Sequence, residues 1–441
     1  MAKIQIFDLK YPDNNLMEHY QNLASLPGFV LLESSDQLGG RYDIVSAFPY
    51  HRLTIHRNNS EFLQIFNQLQ KLIPQVTSEV NLPFQGGAIG YFSYDFAASL
   101  VGLHSVTQPS LANLPIINIG LYDWALISDH HLKKVYVVSA NNRSETAAIV
   151  KEVRCIWEQN NTRNDTFILT KPFTPLITKA DYRDSFNAIY RDLRRGRAYQ
   201  VNYTQPFNAE YQGDSWLMYK KIRAKNPVPY SAFLRFSDAE ILSFSPERFL
   251  LMDKNKLLTS PIKGTEKRSS DPKQDELLRS ALLASSKNQA ENVMIVDLLR
   301  NDLGKIAKPG SVHVRDLYAI ESYQSVHHMV SNIEAICSED MSMMDAFSAC
   351  FPGGSITGAP KLEAMRIIAE QETYARGVYC GSIGYFSNHG RFDSNIAIRT
   401  VVARDEILHL AAGGGIVIDS NWEDEYLECF IKTDAIVNGL N

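Results

Sequence analysis

Runs of alternating or branched apolar residues dominate the first third of the chain and predict strands. Residues 29–32, 42–45 and 51–55 are such runs, rich in the residue types that suit a pleated, half-buried surface. Between residues 61 and 73 the period changes. Phe62, Ile65, Phe66, Leu69 and Leu72 recur at three- and four-residue spacing, the stripe of an amphipathic helix. Strand-like patterning resumes around Gly86, Gly87 and Gly90, in the apolar segment 114–127 with its interruptions at Asn118 and Asp123, and over 135–140. From 141 to about 175 the chain turns polar, which predicts a connecting segment or domain boundary. Thr178-Lys-Ala-Asp181 has the spacing of a helix cap before an expected helix over 182–194. Further helices are expected from Asp271-Pro272 through Leu299, from Ala359-Pro360 through Ala369, and over 423–437. A turn at Pro309-Gly310 and a strand over 312–317 lie between them. Helices and strands do not alternate regularly, so the pattern predicts an α+β fold and not a doubly wound parallel sheet.

Composition narrows the function classes. A chain of 441 residues suffices for two or three domains, or for one large unit with an extended core. Its formal net charge is −5, and its densest basic cluster, residues 191–197, is broken by Asp192, Leu193 and Gly196. That distribution argues against a nucleic-acid or anionic-membrane surface. No apolar run approaches the ~20 residues of a membrane helix, and the first eight residues do not resemble a secretory leader. The five cysteines include no Cys-x-x-Cys pair, which predicts neither a disulfide framework nor a structural zinc site. Sparse thiols match a reducing, cytoplasmic location.

Several residues could carry chemistry. Glu425 and Glu428 are three apart in an expected helix and can face one site. With Glu291, they are a plausible ligand set for magnesium, which binds few protein carboxylates and keeps other oxygens. Solvated helix faces suit the same residues. Lys263, in Ser260-Pro-Ile-Lys-Gly-Thr265, is either a surface lysine or, in a dry pocket, a nucleophile with a depressed pKa. Glu247, in Ser245-Pro-Glu-Arg-Phe249, ends an apolar run, where a carboxyl is either a protonated acid or half of an ion pair. Phe351-Pro-Gly-Gly-Ser-Ile-Thr-Gly-Ala-Pro-Lys361 and Ala412-Gly-Gly-Gly415 are glycine-rich turns that suit either anion binding or structure alone. Arg399, in Ile396-Ala-Ile-Arg-Thr400, is a cation amid an expected apolar strand and needs a carboxylate from protein or ligand. His328 suits packing as well as catalysis.

In this order, these motifs resemble those of the chorismate-utilising enzymes, the family of anthranilate synthase component I and aminodeoxychorismate synthase component I. Ala290-Glu-Asn-Val-Met-Ile-Val-Asp-Leu-Leu-Arg-Asn-Asp302 and Cys380-Gly-Ser-Ile-Gly-Tyr-Phe386 belong to the same series. Leu31-Leu-Glu-Ser34 and Leu82-Pro-Phe-Gln-Gly-Gly-Ala-Ile-Gly-Tyr91 extend the likeness to the N-terminal part. The resemblance implies large antiparallel or mixed sheets flanked by helices. It implies an N-terminal region over 1–150 intertwined with a chorismate-binding domain over 175–437. It implies Mg²⁺ on Glu291 and Glu428 with Glu425 nearby, although Asn288 stands where relatives often have another glutamate. Arg399, Tyr385 and Gly413, Gly414 and Gly415 would bind the enolpyruvyl carboxylate, and Ser355 and His328 would line the pocket near the leaving hydroxyl. Anthranilate synthases resemble Pro-Ile-Ala-Gly-Thr where this chain has Lys263, the lysine typical of the aminodeoxychorismate branch. That branch implies a lysine nucleophile, Glu247 as general acid, and ammonia from a separate glutamine amidotransferase subunit. Ser34, Arg41, Pro229, Tyr230 and Ser231 would line a tryptophan pocket.

Overall fold

A computed structural model describes residues 4–12, 15–35, 40–57, 64–103, 111, 113–159 and 165–440. Its strands form two large sheets in which every described strand pairing is antiparallel. The pattern-based α+β reading agrees with this arrangement. The first sheet has 12 strands. At its middle Val30–Glu33 pairs with Tyr230–Arg235, so N-terminal strands run directly into strands from much later in the chain. The second sheet has 10 strands, and Gly87–Phe92 pairs there with Ser382–Ser387. Both sheets therefore draw strands from either side of residue 150.

The apolar faces bury against each other and against the helices. Phe66, Phe92, Phe96, Phe347, Phe351 and Phe386 form a cluster of ring contacts that ties Ile65–Leu72 and Met343–Cys350 to the second sheet. Rings of this size each remove a large apolar area from water. Thr178 and Asp181 form the reciprocal cap expected of them at the start of the helix Lys179–Arg194. Residues 61–63, which include Phe62, and 160–164 lie outside the described residues.

Two expectations fail for local reasons. The polar stretch after residue 141 is not a bare connector. It holds the helix Thr146–Trp157, whose Val150, Val153 and Trp157 are buried, and the strand Phe167–Pro175. His19 on the helix Leu16–Leu23 stacks on Trp157 and hydrogen-bonds its carbonyl. The long helix after Pro272 is two helices, Pro272–Ala284 and Ser286–Gly304. Ser285 leaves helical geometry and its side chain accepts from the backbone N–H of Asn288, an N-cap inside what reads as one periodic run.

Candidate active site

The strand Ile262–Lys267 carries Lys263 and pairs with Val326–Ile336, but its register slips between Ile262 and Thr265. Gly264 sits in that bulge at φ +93°. A Cβ there would meet the Asn288 amide and the Leu282 side chain, each at 3.0 Å. Glycine thus lets the strand approach the helix Ser286–Gly304, which carries Glu291 one turn beyond Asn288. Lys263 is half-buried there. Burial lowers its pKa; Lys432 adds to the effect, while Glu291, Glu247 and Glu428 oppose it.

Glu247 immediately precedes the strand Arg248–Asp253 and is 6% exposed. Burial pushes its carboxyl up to about 7, against the opposing pull of Ser355 and of the Lys263 charge. The Ser355 hydroxyl donates to Glu247 Oε1 at 2.7 Å. A carboxyl in this state can hold or release a proton near neutral pH.

The helix Trp422–Leu440 brings Glu425 and Glu428 over the glycines of the strand Ile407–Ile416. A Cβ on Gly414 would meet Glu425 Oε2 at 2.7 Å and Glu428 Oε1 at 3.5 Å. Gly413, Gly414 and Gly415 do not form a turn. They are strand residues opposite Thr204, Tyr203 and Asn202. The neighbour on the other edge, Thr400–Arg404, pairs only as far as Leu410, so its ladder stops short of the glycines. Lys432 Nζ donates to the Gly413 carbonyl at 2.8 Å and pairs with Glu428 at 2.6 Å.

Arg399 lies in the break before Thr400–Arg404, at φ +49°, and not within a strand. Burial alone lowers its pKa, and no carboxylate pairs with it among the described residues. His328 is buried, shares a 2.8 Å hydrogen bond with Thr265 Oγ1, and is pushed down to about 3 by burial, Arg399 and His327. It is a neutral imidazole at physiological pH.

A cavity of about 470 Å³ lies elsewhere, at the junction of N-terminal and C-terminal strands. Ser34, Arg41, Pro229, Tyr230 and Ser231 all line it. Arg248 and Asp393 add an ion pair at 3.0 Å, with the guanidinium 5.0 Å from the Tyr230 ring. Tyr385 also lines this cavity, its hydroxyl accepting from Arg391 Nε at 3.2 Å. It is therefore not assigned to the pocket around Lys263.

A family model for chorismate binding enzymes matches residues 29–438. The aminodeoxychorismate synthase component 1 of Salmonella typhimurium is 40% identical over 96% of this chain and 95% of its own length. That of Escherichia coli is likewise 40% identical, over 96% and 95%. The crystal structure of anthranilate synthase component I from Streptococcus pneumoniae superposes with a TM-score of 0.80 at 29% identity, covering 90% of this chain and 92% of that one. The chain belongs to the chorismate binding enzyme family. It is an enzyme acting on chorismate.

Within this chorismate binding enzyme the structure brings Lys263, Glu247, Ser355, Glu291 and Glu428 into one electrostatic group and places His328 beside Arg399. Sequence reasoning passes over Lys432, although the Glu428-x-x-x-Lys432 spacing places both on one helix face. Magnesium prefers oxygen ligands, and Glu291, Glu425 and Glu428 supply only those. Burial raises the Glu425 pKa and the Glu428 charge raises it further, a repulsion that a cation would relieve. Among the described residues no three acidic, histidine or cysteine side chains already stand in metal-binding array. The oxygen-only donors and the repulsion between Glu425 and Glu428 suit a hard cation in their chemistry.

Proposed function

We propose that this chain is component 1 of an aminodeoxychorismate synthase, converting chorismate and ammonia to 4-amino-4-deoxychorismate. The observation that carries the reading is Lys263 with a lowered pKa in the same electrostatic group as Glu247, whose carboxyl is pushed up to about 7. Neutral Lys263 attacks C2 of the ring. The double bonds shift toward C4, and the C4–O bond breaks as Glu247 gives its proton to the departing hydroxyl. Water leaves. Ammonia then forms a bond to C4, the double bonds shift back, and the C2–Nζ bond breaks. Lys263 leaves as the neutral amine, Glu247 takes back a proton from the ammonium formed at C4, and the enolpyruvyl group stays on the ring.

Arg399, without a protein carboxylate, holds the enolpyruvyl carboxylate. Ser355 orients Glu247, and neutral His328 offers a hydrogen bond near the leaving hydroxyl. Glu291, Glu425 and Glu428 would hold Mg²⁺, which supplies positive charge for the ring carboxylate. Ammonia comes from a separate glutamine amidotransferase subunit, in keeping with the "component 1" of the relatives' names. The cavity lined by Ser34, Arg41, Pro229, Tyr230 and Ser231 takes tryptophan.

Incubation with chorismate, Mg²⁺ and ammonia at alkaline pH tests the reading. A product by mass that keeps its pyruvyl group supports it. Fluorescent anthranilate with released pyruvate would assign the chain to the other branch. For the cavity, saturating tryptophan at ~100 times its Kd stabilises the fold by about 2.7 kcal/mol. Thermal unfolding with and without tryptophan reads this, and an unchanged transition would refute it.

A further inference from the structure

Lys432 lies on the same helix as the two glutamates read above as metal ligands, four residues after the second. Its ammonium is 2.6 Å from Glu428 Oε1 and 2.8 Å from the Gly413 carbonyl oxygen, which it bonds at the same time. Glu428 in turn shares the space above Gly414 with Glu425. One ammonium thus bridges an acidic face and the backbone of the strand beneath it. Its charge also reaches Lys263, Glu247 and Glu425. An ammonium donates three hydrogen bonds from a point charge on a flexible stem, so it can fill a cation site and leave it by rotation.

We propose that Lys432 is a resident counter-ion: it neutralises the Glu425–Glu428 face before metal arrives, and it is turned out of that face when a divalent cation binds. The inference rests on the metal reading of those glutamates. It makes metal affinity a competition, in which the entering ion must displace an ammonium that is already there. Loss of the ammonium then tightens metal binding even without substrate. Lys287 supplies a control. It is exposed on the helix Ser286–Gly304, and its charge also acts on Glu425, with no hydrogen bond or ion pair to either glutamate among the described residues. A charge acting only through solvent is screened, whereas an occupant of the site competes directly.

The experiment measures Mn²⁺ affinity by electron paramagnetic resonance of the free ion, without chorismate, for the full-length wild type, Lys432→Met, Lys432→Arg and Lys287→Met. Lys432→Met is expected to bind Mn²⁺ at least ~10-fold more tightly than wild type. Lys432→Arg keeps a cation in place and is expected to stay within ~3-fold of wild type, as is Lys287→Met. Equal affinity in Lys432→Met, or an equal gain in Lys287→Met, would overturn the inference while leaving the metal reading intact. If none of the four proteins binds Mn²⁺, with or without chorismate, the metal reading itself fails and the inference with it.

Discussion

Two regions of the molecule hold buried charge in opposite ways. Around the 470 Å³ cavity each arginine has its acid: Arg41 with Asp129, Arg248 with Asp393, Arg391 with Asp253, and Arg223 with Glu33 behind the wall. Around Lys263 the charges are mismatched. Arg399 has no protein acid among the described residues, Lys263 is driven toward neutrality, and Glu247 retains its proton to about 7. The paired region is finished without a ligand, since both charges of each pair are compensated. The mismatched region is complementary to something the protein lacks: a dianionic ring with a leaving hydroxyl. The first is a cavity with its charges balanced, and the second has charges the fold leaves unbalanced.

The comparison is broken most directly at Lys263. Lys263→Ala is expected to lose aminodeoxychorismate formation by on the order of 10³-fold or more, with circular dichroism unchanged. Product formation read by mass spectrometry at wild-type rate would remove the nucleophile from the mechanism. Next in size, Glu247→Gln is expected to cost about 10²- to 10⁴-fold in kcat. In the wild type the acid form of Glu247 is lost as pH rises through about 7, so the rate falls there, and the variant's residual rate lacks that limb. Stability falls over the same range. A carboxyl whose folded pKa is raised stabilises the fold below its unfolded value of about 4.5, and that contribution is lost as pH rises through about 7. Glu247→Gln is therefore expected to melt about 2 °C or more above wild type at pH 8; a lower melting temperature would count against the raised pKa.

Smaller effects sharpen the contrast. Arg399→Met is expected to raise KM for chorismate about 10- to 100-fold, the scale of a lost hydrogen bond to a charged group. A change confined to kcat would place its contact elsewhere. Asp393→Asn leaves Arg248 short of its partner and is expected to cost about 1–3 kcal/mol in urea unfolding. Its kcat is expected to stay within about 3-fold of wild type. A larger rate change would show that the cavity, through Arg248, reaches the adjacent Glu247.

Glu425 and Glu428 share a face because three residues make most of a helical turn, which spacing alone shows. Ser34, Arg41, Pro229, Tyr230 and Ser231, grouped by the family resemblance and not by any local pattern, line one cavity. Tyr385 lines that same cavity, a placement set by the neighbouring strands, which chain order does not show. The glycines 413–415 read as a turn because glycine runs usually mark turns. Here they let the carboxylates of a helix lie over a strand.

The sequence by itself determined the strand-rich beginning, the caps, the helical stripes and the series of motifs, because these depend on neighbours a few residues away. Only the tertiary structure decided what the charges do. Lys263 is lowered by burial and by Lys432, 169 positions later in the numbering, and held back by acids from three other segments. Glu247 becomes an acid poised near neutrality because folding strips its water and supplies one serine hydroxyl in exchange. Desolvation and Coulomb interactions act through space, so chain order carries no direct record of them.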